Sequence, residues 1–222
     1  MYNDRATLMQ VLNLIAELKL QDTIILIGSW DEYLYEKIFE GYTATFRTLD
    51  TDFLIRRHVK TGKEFVRKMI EIGFSYEEDP MSGKSKFFKG DNEIEFLTTL
   101  TRGNDHIYKV PELGINAECL KYMDIPIKNL MSYVLENGSY ILIPSPAAYC
   151  IHKILIHNER TVEKQQKDSV SIKNLLYSFE RNNQFCTDFK RIYSDLGRKQ
   201  KARVKENAAI IDVESIVGRI IC

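Results

Sequence analysis

The chain has 222 residues, 44% of them hydrophobic, which is enough to bury one large core or two small ones and excludes a disordered chain. Lys plus Arg equals Asp plus Glu at 31 each, so no global field draws it to nucleic acid or to a membrane surface, and partners must be argued from local sites. The widely spaced Cys119, Cys150, Cys186 and Cys222 exclude a Cys-x-x-Cys zinc knot and read as free thiols; with a charged amphipathic amino terminus and no run of about 18 apolar residues, the expected location is the cytoplasm.

In chain order, Leu8, Val11, Leu12, Leu14, Ile15 and Leu18 recur at helical spacing and predict a helix over 5–19, packed by one face. Thr23 to Ile27 is a β-branched apolar run ended by Gly28, the pattern of a buried strand entering a turn. A helix is expected from Trp30 to Glu40 with Gly41 as its stop, with Trp30, Tyr33, Tyr35, Phe39 and Tyr42 packing as core. A strand follows from Asp50, then a helix over 62–72 ending at Gly73, and a strand start at 74–77. Gly90-Asp91-Asn92 between the extended runs 84–89 and 93–99 signals a hairpin. Short strands are expected over 115–143, with 140–143 the clearest. At Pro144-Ser145-Pro146 the pattern turns helical: 146–158, 161–181, 185–197 and 207–219, the last two separated by a basic stretch at Arg198 to Lys205. This divides the chain into an α/β domain over 1–143 and a helical domain over 144–222.

Asp50 and Asp52 stand two apart at the head of Phe53-Leu54-Ile55. Side chains two apart in a strand point the same way, so these carboxylates project from one face about 6 to 7 Å apart. Two acids leading into an apolar run call for a compensating cation. Glu95, between Ile94 and Phe96, faces away from the core, as does Glu93, and an adjacent strand would put Glu95 beside the aspartates. Three such carboxylates could hold two magnesium ions against a triphosphate. Gly28-Ser29, where a strand hands over to a helix, lets backbone N–H groups approach phosphate oxygens.

These elements together, Gly28-Ser29 after an apolar strand, Asp50-Thr51-Asp52 on the next and Ile94-Glu95-Phe96 on a third, resemble the nucleotidyltransferase superfamily of the polymerase beta type. Arg47-Thr48-Leu49-Asp50-Thr51-Asp52 and the later Pro146 to Asp168 segment resemble its minimal bacterial groups, including abortive-infection-type toxins. The resemblance covers about residues 20 to 175. It implies an α+β fold with a small mixed sheet flanked by helices and a helical carboxyl-terminal region that completes the nucleotide site. It further implies a Mg2+-dependent (or Mn2+-dependent) enzyme that moves a nucleoside monophosphate from an NTP such as ATP to a hydroxyl on a tRNA, protein or small molecule. Asp50, Asp52 and Glu95 are the implied catalytic metal ligands, and Gly28, Ser29, Lys153 and Lys167 the implied nucleotide contacts. Two further expectations are a toxin–antitoxin role with an antitoxin-like partner and, as the alternative to catalysis, an inactive nucleotide- or protein-binding module.

The remaining candidates have plainer readings. Glu93 reads as a solvated hairpin residue, and Asp168 as a partner of Arg160 or a member of a local network. His152 and His157, five apart on a helix, lack metal-ligand spacing, and His58 and His106 are isolated. No base or turn motif marks any cysteine as a nucleophile.

Overall fold

In the computed structural model, which describes residues 2–45, 49–57, 59, 61–101 and 106–222, the apolar run after helix α1 (Tyr2–Glu17) forms strand β1 (Ile24–Ile27), buried along its whole length. Gly28 then turns the chain into α2 (Ser29–Ile38). Strand β2 (Asp50–Ile55) runs antiparallel to β1 with Ile27 opposite Asp52. After α3 (Phe65–Glu71) come β3 (Ser75–Glu78), β4 (Ser85–Lys89) and β5 (Asn92–Thr99), with the expected β4–β5 hairpin turning at Gly90, whose φ is 60°.

β5 is the hub of the sheet because it is long enough to be shared. Its full edge lies parallel to β2, while the other edge pairs antiparallel with β4 in the first half and parallel with β7 (Ile115–Leu120) in the second. β6 (Ile107–Val110) closes on β7, giving a mixed sheet. Helix α4 (Asp124–Lys128) leads to the separate hairpin β8 (Leu130–Val134) and β9 (Tyr140–Pro144).

The period-2 alternation splits the sheet into two chemically different faces. Thr51, Phe53, Ile55, Ile94, Phe96 and Thr98 are buried, with Phe53 stacked on Phe96 at 6.2 Å and Phe65 of α3 edge-on to Phe96 at 5.8 Å. Leu8, Val11, Leu12 and Ile15 of α1 join that core. The opposite face starts polar, with Asp50, Asp52, Glu93 and Glu95, and ends apolar in a small cluster of Ile25, Ile27, Leu54, Leu97 and Met123.

From residue 144 the chain is helical: α5 (Pro146–Ile156), a 3-10 turn over 157–159, α6 (Val162–Phe179), α7 (Asn183–Asp195), α8 (Arg198–Ile211) and α9 (Glu214–Ile221). Ser145 caps α5 by accepting the Ala148 N–H, with proline at the first helical position; Asn182 caps α7 by accepting the Phe185 N–H at 2.9 Å. α5 is buried over almost its whole surface, packed against α6, α7 and α8. One continuous core runs from α1 through the sheet to α9. The architecture is therefore α+β: a mixed sheet flanked by helices, then a helical carboxyl-terminal region.

The basic stretch at Arg198 to Lys205 does not separate two helices: it is the first half of α8. Lys, Arg, Gln and Ala are strong helix formers, and Val204, Asn207, Ala208 and Ile211 give the segment a buried stripe. The break falls instead at Asp212, which takes a left-handed φ of 63°, so the expected helix over 207–219 is two helices. Among the described residues no helix is long and apolar enough to cross a membrane.

Candidate functional site

Gly28 has φ 93° and ψ −153°, a conformation open essentially to glycine alone, and a Cβ placed there would lie 3.2 Å from Asp52 Oδ2. The strand end and the Asp52 carboxylate are thus in contact, which puts the amino terminus of α2 beside the acids of β2. Gly28→Ala is expected to cost on the order of 1–3 kcal/mol in stability and, by pushing Asp52 aside, to weaken nucleotide binding at least about tenfold. Denaturant melts together with nucleotide titration check both.

The parallel register sets Asp50 opposite Glu93 and Asp52 opposite Glu95 on one face. Asp50 is exposed, while Asp52 keeps only part of its surface open to the cleft and is otherwise densely surrounded. Burial, then the charges of Glu95 and Asp50, raise the Asp52 carboxyl to about 6 against the pull of Lys153 and Lys164. The oxygen donors of Asp50 and Asp52 suit a hard divalent cation.

Glu95 stands in the same row but under different control. Its Oε1 lies 2.9 Å from Lys86 Nζ and 3.5 Å from Lys84 Nζ. Burial pushes its carboxyl up, but the Lys86 hydrogen bond and the Lys84 charge outweigh it and hold it below the ordinary value. Lys86 also binds Glu93, and Lys84 binds Glu118 of β7 at 2.9 Å. Among the described residues no group of three or more Asp, Glu, His or Cys is arranged to hold a metal. The three expected ligands share one face, then: Glu95 is tied to lysines, and Asp50 and Asp52 border the cleft.

Across the cleft stand α5 and α6. Lys153 is buried and bonds Asp168 Oδ1 at 2.6 Å, while Arg160 Nε reaches Asp168 Oδ2 at 3.2 Å. Lys164 and Lys167 are exposed, Lys167 pairing with Glu163 at 2.9 Å. Ser29, Asp50, Asp52, Lys153, Lys164 and Lys167 line one polar cavity of about 150 Å³. Asp52, Lys153, Tyr149 and Arg160 also border a second cavity of about 210 Å³, whose walls include Ile27, Leu97, Met123, Pro144 and Ile156. The site therefore has two lobes, one lined by acids and lysines together and one largely apolar, meeting at Asp52.

Two acids that no sequence signal marks, Asp31 and Glu32, lie buried behind this site, and Glu32 holds its elements together. Glu32 accepts the Tyr149 hydroxyl at 2.7 Å, the Tyr42 hydroxyl at 3.0 Å and the Ser171 hydroxyl, tying α2 to α5 and α6. Asp31 is wholly buried; the Gly28 N–H lies near enough to favour its charged form, but neither oxygen has a partner in hydrogen-bond geometry. Burial drives the Asp31 carboxyl well above its ordinary value in spite of the Lys153 charge, so it sits beneath the glycine turn as a neutral acid.

Burial first, then the charges of Lys153 and Arg160, depress His152 to about 3, so it stays neutral in the fold. The unfolded chain takes up that proton below about 6.5, so this histidine withdraws stability as pH falls from 6.5 toward 3, by up to about 1.4 kcal/mol per pH unit. Denaturant melts at pH 7.5 and 5 are expected to show His152→Leu losing less stability on acidification than the parent chain.

Trp30 is buried in edge contact with Tyr33 at 5.7 Å, and Tyr35 donates to the Pro144 carbonyl at 2.7 Å. His157 is buried and His106 exposed. Cys119, Cys150, Cys186 and Cys222 are all free thiols. Arg47, Thr48 and His58 lie outside the described residues.

A nucleotidyltransferase family model matches residues 6–191. Among solved structures, the crystal structure of an antigenic nucleotidyltransferase-like protein from Paracoccidioides brasiliensis is similar at 16% identity, over 96% of this chain and 93% of that one, with a TM-score of 0.47. No curated protein matches the chain.

Proposed function

The chain belongs to the nucleotidyltransferase family, and from that premise we propose that it moves a nucleoside monophosphate from an NTP to a hydroxyl acceptor. The acceptor oxygen bonds to the α-phosphorus, the bond from that phosphorus to the bridging oxygen breaks, the hydroxyl proton passes to solvent, and pyrophosphate leaves with the bridging oxygen and its electron pair. The observation that carries the reading is the facing of Asp50 and Asp52 on β2 by Lys153, Lys164 and Lys167 on α5 and α6, around one cavity that begins at Ser29.

In this reading the amino terminus of α2, at Gly28 and Ser29, grips the β- and γ-phosphates through backbone N–H groups. Lys153 and Lys167, with Lys164, neutralise charge that builds on the departing pyrophosphate. Asp50 and Asp52 are the residues that would hold Mg2+ or Mn2+, which when bound supplies positive charge against the triphosphate. The apolar lobe beside Asp52 receives an uncharged portion of the reactants, and the helical region from residue 144 completes the nucleotide site. Calorimetric titration with a nonhydrolysable NTP is expected to show magnesium-dependent binding that Asp50→Asn/Asp52→Asn abolishes. Binding indifferent to both magnesium and the aspartates would contradict it.

A second reading, a nucleotide- or protein-binding module without catalysis, takes its support from the lysine pairs on Glu95. It expects partner or nucleotide binding that survives in Asp50→Asn/Asp52→Asn. The free thiols agree with a reducing cytoplasm. A toxin role, with an antitoxin-like partner, is tested by growth on induced expression: arrest that persists in the double aspartate variant would argue against toxicity through transfer.

A further inference from the structure

Among the described residues, Asp31 and His152 line the apolar lobe with polar atoms that have no hydrogen-bond partner: both Asp31 oxygens and His152 Nε2. Asp31 is wholly buried on α2, and His152 is 9% exposed on α5. The charged residues at the border of the lobe are engaged elsewhere. Lys153 and Arg160 hold Asp168, while Lys121, at 3.7 Å, and Arg203 hold Glu159. A buried polar atom left unpaired is costly, so two helices presenting such atoms to one cavity mark a place for a ligand. We propose that this lobe is the acceptor site, and that the acceptor is a small uncharged molecule whose apolar body carries the reacting hydroxyl and a second hydrogen-bonding group that meets Asp31 and His152. This deepens the nucleotidyl-transfer reading and rests on it.

Direction, size and wall chemistry each support the assignment. In-line displacement sets the attacking and leaving oxygens on opposite sides of the α-phosphorus. With pyrophosphate among Ser29, Lys153, Lys164 and Lys167 in the polar lobe, and the α-phosphorus at Asp52 where the lobes meet, the attacking hydroxyl comes from the apolar side. The cavity of about 210 Å³ is smaller than the roughly 300–1,000 Å³ of sites for drug-sized ligands. It suits a compact molecule rather than the surface of a folded protein or a tRNA. Ile27, Leu97, Leu120, Met123, Pro126 and Ile156 give the walls dispersion contacts, and the bordering ion pairs leave an uncharged body as the better fit. Burial, then the charges of Lys153 and Arg160, keep His152 uncharged, so its Nε2 serves as a hydrogen-bonding atom and not as a counter-ion.

The test supplies the full chain, magnesium and an α-labelled NTP with separate acceptor pools: total tRNA, total cell protein, and the small molecules of a cell extract split by ion exchange into neutral and charged fractions. Most of the label is expected in the neutral small-molecule fraction. Most of it in tRNA, protein or the charged fraction would overturn the inference and leave nucleotidyl transfer intact, and label in no pool would overturn both. The labelled neutral molecule, once isolated, becomes the probe. His152→Leu removes the hydrogen-bonding atom and is expected to raise the KM for that molecule at least about tenfold. Asp31→Leu is expected to do the same, while Asp31→Asn, which keeps a donor and an acceptor, stays near the parent chain. Ile156→Trp narrows the lobe at a half-buried position and is also expected to raise that KM. Calorimetric affinity for a nonhydrolysable NTP is expected to be unchanged in His152→Leu and Ile156→Trp. A fall in NTP affinity in both would mean that the lobe holds the nucleobase, and an unchanged acceptor KM in both would put the acceptor elsewhere; either overturns the inference with transfer intact. Should one of these two variants fail to fold, the other decides.

Discussion

Asp52→Asn is expected to abolish transfer, by about a thousandfold or more, and at the same time to make the protein more stable at pH 7. The first effect follows from removing one of the two carboxylates that would hold the divalent cation, at the point where both lobes of the cleft meet. The second follows from the Asp52 carboxyl being raised from an ordinary 3.8 to about 6 by burial and by the neighbouring Glu95 and Asp50. Because the folded chain holds that proton more tightly than the unfolded chain, stability falls as pH rises from about 4 to about 6 and is flat above. The full difference corresponds to about 3 kcal/mol, and because part of Asp52 faces the open cleft we expect about 2 kcal/mol after screening. Denaturant melts at pH 7 are expected to show Asp52→Asn above the parent chain, with the gap closing toward pH 4. A variant that is inactive and less stable at pH 7 would mean that Asp52 is a structural acid whose charge the fold needs.

The second large effect concerns the buried ion pair on the opposite wall. Lys153 and Asp168 bond at 2.6 Å with side chains 11% and 5% exposed, so Asp168→Ala strands an ammonium inside the protein. Removing one partner of such a pair typically costs about 3–5 kcal/mol, which for a chain of this size lowers the melting temperature by on the order of 10 °C. Lys153→Met is expected to cost less, because Asp168 keeps Arg160 at 3.2 Å, yet to weaken NTP binding at least about tenfold through the lost phosphate contact. Lys153→Met/Asp168→Leu should recover most of the stability lost in Asp168→Ala and none of the binding. If the double variant bound nucleotide like the parent chain, the pair would be a scaffold alone.

How much of this could be read from residues alone depended on how local each signal was. The strand into Gly28-Ser29, the Asp50 and Asp52 alternation and the hairpin at Gly90 are carried by side-chain period and turn chemistry within a few residues. The parallel pairing of β2 with β5 joins segments some forty residues apart, and no neighbouring residue encodes that register. Asp31 and Glu32 were illegible for a related reason. Acids in the first turn of a helix ordinarily face solvent and favour the helix dipole, and only Tyr149 on α5 and Ser171 on α6 reveal that Glu32 is buried. The alternation over 84–89 marks an extended run, but only the pairing of β4 with β5 sets Lys86 against Glu95. The basic run from Arg198 drew attention as a break because its charges stood out, while the buried Val204, Asn207 and Ala208 stripe that makes it helical was sparser and easier to miss.

The most direct test of nucleotidyl transfer is to supply the full chain, magnesium and a broad acceptor pool with an NTP labelled at the α-phosphate and, in parallel, at the γ-phosphate. The expected result is α-label bound to an acceptor and γ-label released in pyrophosphate, both lost in Asp50→Asn/Asp52→Asn. Incorporation of γ-label instead, or α-label incorporation undiminished by loss of both aspartates, would contradict the assignment of transfer to this cleft.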